Sequence, residues 1–283
     1  MDKASVEAAF IAAGLSRLLK DIDYLAQPSI RLYTTTVDES TLSVGASKVG
    51  GLPDLPPGIA WPTWKDLPQS FIAQIRLDDV CQYDVHKVLP EQGMLWFFYD
   101  AQQETFGADP ADRGGWQVFF SEDIHTSLQR TSAPANLPAD SQFHACSLRM
   151  ASEITLSQQP QLDIPNFDWT KEEQQKYEQL LSTLSDSADR SLPHNRLLGN
   201  PDTIQDDMRL QCQLVSHGVT DENDPRAAEL SPGAKNWHLL FQMDSDEQAG
   251  MRWANNGMLY YWIQQADLAA RRFDATWLVL QSE

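Results

Sequence analysis

An α+β fold, predominantly antiparallel β, is what three features of the chain predict. Short runs rich in β-branched and aromatic residues recur along it, as at 71–77 (FIAQIRL), 94–99 (MLWFFY), 237–243 (WHLLFQM) and 258–263 (MLYYWI). Apolar residues at helical spacing are confined to the N-terminus and the middle. Two stretches resemble each other: Phe71-Ile72-Ala73-Gln74-Ile75 and Leu239-Leu240-Phe241-Gln242-Met243 each set one Gln among apolar residues. Each is followed by acids and then by a Gly-Met-Leu-aromatic-aromatic run, at Gly93 and Gly257, with Gln-to-Gly spacings of 19 (93 − 74) and 15 (257 − 242). The expectation is an internally duplicated strand–loop–strand unit. Its halves lie at about 30–150 and 190–283, joined by a helical middle segment within a single domain over 1–283. Convergence of two hairpins on Gly turns is the alternative.

In chain order, residues 5–23 predict an N-terminal helix, with Leu15, Leu18 and Leu19 at i, i+3, i+4 spacing and Gly14 weakening its middle. Residues 31–37 (RLYTTTV) predict a strand. A stiff loop follows, Gly50-Gly51-Leu52-Pro53-Asp54-Leu55-Pro56-Pro57-Gly58 and Trp61-Pro62, whose prolines forbid a helix. After the strands at 71–77 and 94–99 comes another at 116–120. Thr170 and Glu173 form a capping box ahead of the stripe Tyr177, Leu180, Leu181, Leu184. A second central helix is expected after Pro201, capped by Asp202 or Thr203, with Ile204, Met208, Cys212 and Val215 on one face and Gly218 ending it. Residues 220–235 predict a loop, 266–272 a short helix and 276–280 a final strand.

Composition restricts the function classes. Hydrophobic residues at 42% against 22% charged residues describe a globular chain. The net charge of −19 repels phosphate backbones and anionic lipid, so neither nucleic acid nor a membrane surface is expected as a partner. The same charge attracts a basic protein, although surplus acid also serves solubility alone. Three dispersed cysteines, Cys81, Cys146 and Cys212, together with an N-terminus lacking signal-peptide character, fit a cytoplasmic, reducing setting.

The six histidines (His86, His125, His144, His194, His217, His238) show no HxH or HExxH pattern, and there is no CxxC. His144-x-Cys146 on a strand is the only partial metal site, so no metal and no cofactor is expected. No GxSxG elbow or Cys–His pair is present. His194 is a base or a buried structural ring. The acid groups Asp78-Asp79, Asp206-Asp207 and Asp244-x-Asp246 are solvated surface or, at Asp244, part of a weak cation or binding loop without EF-hand spacing. Gln74 and Gln242, inside apolar strands, must have their amides satisfied, by a loop backbone or by a small polar ligand. Trp61, Trp253 and Trp262 are the expected aromatic lining of any pocket between the halves, or else core.

Four ordered blocks resemble the YwqG-like family, a bacterial domain family of unknown function. They are Gly50–Pro56 with Trp61-Pro62 and Phe71–Ile75; His194-Asn195-Arg196-Leu197-Leu198-Gly199-Asn200-Pro201 with Ile204–Met208; Trp237–Asp246; and Gly257–Ile263 with Asp267-Leu268 and Phe273. The chain departs from the family at Asn255-Asn256, where a small or acidic residue is usual, and at Asn200, where an aromatic is frequent; neither change threatens the fold. The resemblance implies an α+β fold with an internal repeat and no known reaction. It also implies, through the occurrence of members beside toxin systems, an immunity-type inhibitor. The expected function is thus non-enzymatic protein binding to a basic partner. The alternative is a small-molecule-binding protein or hydrolase with a cleft between the halves.

Overall fold

A computed structural model describes residues 3–124, 127–184 and 192–283. Met1, Asp2, His125 and the side chain of Leu184, which figure in the expectations above, lie outside them. Ten strands form the main sheet: β1 (Ala26–Thr36), β2 (Lys48–Val49), β3 (Ser70–Arg76), β4 (Met94–Tyr99), β5 (Trp116–Ser121), β6 (Cys146–Leu156), β7 (Arg196–Leu197), β8 (Trp237–Asp244), β9 (Met258–Gln264) and β10 (Trp277–Gln281). Their order is β10-β9-β8-β7-β1-β6-β2-β3-β4-β5, with every pair antiparallel. The α+β expectation, mostly antiparallel, holds.

The sheet is organised about its centre. β1 and β6 pair along their full length, from Ala26↔Leu156 to Thr36↔Cys146. On either side the same succession follows: a two-residue strand, the Gln strand, the Gly-Met-Leu strand and an edge strand. Each long strand is crossed over, since β1 borders β7 and β6 borders β2. The sheet then curls until its two edges meet. Trp116 on β5 lies 5.0 Å from Trp277 on β10 and donates to the Thr276 carbonyl at 2.9 Å. No ladder joins β5 to β10, so the barrel is nearly closed rather than closed. Its interior is apolar, and the two sides interlock there through Phe97, which is 4.6 Å from Phe241 and 5.2 Å from Tyr261.

Helices pack outside. The predicted N-terminal helix is broken: α1 (Lys3–Ala12) stops before Gly14, whose φ of +74° turns the chain into a 3-10 segment at Ser16–Asp21. α1 buries Val6 and Phe10 against Tyr177 and Leu180 of α2 (Lys171–Leu184). The capping box starts α2 as expected, with Thr170 N–H donating to Glu173 at 2.9 Å and Glu173 N–H to Thr170 at 3.2 Å. The second central helix, α3 (Arg209–Ser216), begins later than predicted. Residues 202–208 are held instead by strand side chains, since Gln281 Oε1 takes the N–H groups of Ile204 and Gln205 at 3.0 and 3.1 Å. The predicted loop at 220–235 contains α4 (Pro225–Leu230), started by Asp224 as N-cap with Pro at the first turn. Among the described residues, no helix is long and apolar enough to cross a membrane.

Candidate functional site

Across one face of the sheet runs the row Tyr260–Gln242–Arg196–Arg31, in cross-strand register. On the other side of the centre the corresponding row is Trp96–Gln74–Lys48–Ser147. In both, a buried Gln stands beside a buried cation and an aromatic residue, and a loop from the two-residue strand folds over them. That loop reads Lys48-Val49-Gly50-Gly51-Leu52-Pro53-Asp54 in one row and Arg196-Leu197-Leu198-Gly199-Asn200-Pro201-Asp202 in the other. In each, the third and fourth residues are left-handed, with φ of 63° and 70° at Gly50 and Gly51 and of 60° and 78° at Leu198 and Gly199. The fourth must be Gly, because a Cβ on Gly51 would sit 2.4 Å from Glu39 Oε1 and one on Gly199 2.6 Å from Ser29 Cβ.

The loop brings an Asp onto the Gln. Gln242 Oε1 accepts Asp202 N–H at 2.9 Å, while its amide donates to the His194 carbonyl at 2.7 Å and to Asp202 Oδ2 at 3.1 Å. Gln74 Oε1 accepts Asp54 N–H at 2.7 Å, and its amide donates to the Ala46 carbonyl and to Asp54 Oδ2, both at 2.8 Å. Tyr260 and Trp96 donate to the carbonyls of Asp202 and Asp54 at 2.6 and 2.9 Å. Both donors of each amide are used, so neither Gln has a free hydrogen to offer a ligand.

The cations complete the clusters. Arg196 Nη1 is 2.7 Å from Asp202 Oδ2, and its Nε forms an ion pair with Glu153 at 3.0 Å without hydrogen-bond alignment. Lys48 reaches Glu39 at 2.9 Å and Asp54 at 3.5 Å. Burial works to raise the Asp202 carboxyl, but the Arg196 charge and hydrogen bonds from His194 and Gln242 hold it well below the ordinary value of 3.8. Asp54 is likewise lowered: burial opposes, and Arg130, the Gly45 N–H, Lys48 and Gln74 prevail.

His194 belongs to the first cluster. It has no exposed surface, and its Nδ1 lies 3.0 Å from Asp202. A ring sealed in this way cannot reach a substrate proton. Asp244 sits alongside, accepting His194 N–H at 2.9 Å, and Asn195 joins it to Asp246. Asp244 and Asp246 are buried and turned to backbone and side-chain donors, unlike an open cation loop.

The structure gathers His194, Gln242 and Asp244, and places Gln74 in the other cluster. The three Trp do not line one pocket. Trp61, half-buried, packs edge-on to Phe98 at 5.7 Å; Trp253 is core, against Tyr99 and Phe143; Trp262 lines a cleft of its own. His144 is exposed and precedes β6, whereas Cys146 is buried, with its thiol raised to about 11 by burial. Burial raises the Cys212 thiol as well, and both side chains are buried in the core. Among the described residues, no group of three or more His, Cys, Asp or Glu is placed to hold a metal. Sequence reasoning passed over Asp54, Asp202, Lys48 and Arg196; the shared pattern of basic residue, three residues on a Gly, then Pro-Asp was the signal available.

At one end of the sheet a groove of about 1100 Å³ runs between Tyr33–Thr35 and the loop 244–252. Among the described residues, Asp244, Asp246, Glu247 and Glu283 line it with one cation, Arg252.

No curated protein matches the chain. Residues 47–282 match the family described as Domain of unknown function (DUF1963), a span that includes Lys48, Asp54, Gln74, Arg196, Asp202 and Gln242 and every strand except β1. The chain belongs to this family of domains of unknown function.

Proposed function

We propose that this chain is a non-enzymatic binding protein that docks a basic segment of another protein in the acidic groove. The observation that carries the reading is the charge at that groove, where Glu247 and Glu283 are exposed and Asp244 and Asp246 are buried behind them, against Arg252 among the described residues, in a chain of net charge −19. What favours binding over hydrolysis is that His194 is sealed and both Gln amides are spent on loop backbone. The finer reading, an immunity-type inhibitor of a toxin acting in a reducing compartment, rests on the resemblance to the YwqG-like family and on three free cysteines. The similar loops and matching rows support a duplicated unit as the origin of the two sides.

The test is fluorescence anisotropy with a lysine- and arginine-rich peptide. Affinity is expected to fall as salt rises. Glu247→Lys with Glu283→Lys is expected to weaken binding about tenfold, and Glu222→Lys with Asp274→Lys, equal in charge but away from the groove, much less. Equal losses from both pairs, or no binding at low salt, would refute the groove.

A further inference from the structure

The ladder between β1 and β6 has an alternation fixed at both ends. Ser157 N–H donates to the Leu25 carbonyl at 2.8 Å, and Val37 N–H donates to the Ala145 carbonyl at 2.9 Å. Odd-numbered residues of β6 therefore turn their N–H and C=O towards β1, and even-numbered ones turn theirs the other way. On that other side β2 pairs only with Cys146 and Ser147. Among the described residues, no hydrogen bond reaches the main chain of Leu148, Met150, Ser152 or Ile154. Arg149 and Ser152 are exposed, and their neighbours from Leu148 to Ile154 are half-buried, so this stretch of edge is open to solvent. An unpaired strand edge is a template for a further strand.

The strand that fits this edge is the edge itself. The sequence 148–154 (LRMASEI), laid antiparallel on a second copy with Ala151 opposite Ala151, sets Arg149 opposite Glu153 and Leu148 opposite Ile154. Its even-numbered residues then form the hydrogen-bonded pairs, which use the free main-chain groups. Sliding one copy by two residues sets Arg149 or Glu153 opposite Ala151 instead, and sliding it by four sets like charges opposite each other. The charges are available. Arg149 lies over the Tyr33 ring at 3.8 Å and has no carboxylate partner among the described residues. Glu153 meets Ser29 and Arg196 through Oε1, which leaves Oε2 for another cation. We propose that β6 is a self-association edge, at which two copies of this chain join about a two-fold axis through Ala151.

The experiment is sedimentation velocity of the full chain at about 0.3 M salt, where the repulsion between two chains of net charge −19 is screened. The expected result is a dimer that dissociates on dilution. Ser152→Pro removes an outward N–H and none from the β1 ladder, and is expected to give a monomer with an unchanged urea midpoint. Arg149→Glu sets acid opposite acid and is expected to weaken the dimer about tenfold. Ala151→Cys, in a Cys81→Ser background, brings two Cα atoms about 4.5 Å apart across the axis, within reach of a disulfide. It is expected to cross-link on mild oxidation, whereas Glu222→Cys in the same background is not. A wild-type chain that stays monomeric at its highest soluble concentration overturns the proposal. So does a dimer that Ser152→Pro and Arg149→Glu leave intact while Ala151→Cys fails to cross-link. If Ser152→Pro does not fold, the cysteine variants decide. A monomer in which Ser152→Pro weakens the basic peptide would give the edge to that peptide and rule out the second copy.

Discussion

Arg31 and Arg196 stand opposite each other on β1 and β7, equally buried and differently paired. Arg196 is flanked by Asp202 and Glu153, whereas Arg31 donates from Nη2 to the Pro193 carbonyl at 2.8 Å and has no acceptor for Nε or Nη1. Removing one partner of a buried ion pair strands the others, so Arg196→Met is expected to cost about 3–5 kcal/mol. Arg31→Met removes unsatisfied donors along with one hydrogen bond, and is expected to fall within about 1 kcal/mol of wild type. Urea unfolding of both variants checks the contrast; equal losses would contradict this account of the cluster. Sequence could pick out Gln74 and Gln242 because a lone amide in an apolar strand must be satisfied. It could not pick out Arg196, since a basic residue at a strand end is normally exposed and only the loop folding back buries it, nor Arg31, which begins the predicted strand 31–37 but lies in the middle of β1.

At the scale of elements, each loop is pinned through its Asp. A carboxyl whose folded pKa lies below its unfolded value stabilises above the unfolded value, near 3.9, and that stabilisation is lost as pH falls through the folded value. Asp202 and Asp54 are both lowered. The wild type is therefore expected to lose stability steadily below about pH 5. Asp202→Asn, less stable at neutral pH, is expected to show a shallower fall over the same range; parallel curves would contradict the cluster electrostatics. The strands carrying period and aromatic content, β3, β4, β8 and β9, were legible within a residue or so. β2 and β7, two residues each, carry no period to read, and β6 (CSLRMASEITL) mixes polar and apolar residues because it lies at the centre of the sheet with intermediate exposure along most of its length. The helix expected after Pro201 starts only at Arg209, because Gln242, Arg196 and Gln281 claim the groups that an earlier start would have used.

Over the whole molecule, the sheet nearly closes on an aromatic interior and leaves polar chemistry to its outer rows and its ends. Alternation and aromatic content predicted the mostly antiparallel class. The order of strands, with β1 and β6 crossed over at the centre, depends on contacts between residues more than a hundred positions apart and leaves no local trace. The acidic groove is such a product, since Tyr33, Asp244 and Glu283 come from three distant segments. Its role as the docking surface is tested most directly by hydrogen exchange on the full chain with and without the bound basic peptide. Protection is expected in the amides of 33–35 and 245–252, with the Gln74 cluster unchanged. Protection elsewhere with these segments unaffected, or no protection at a peptide concentration that saturates anisotropy, would contradict it.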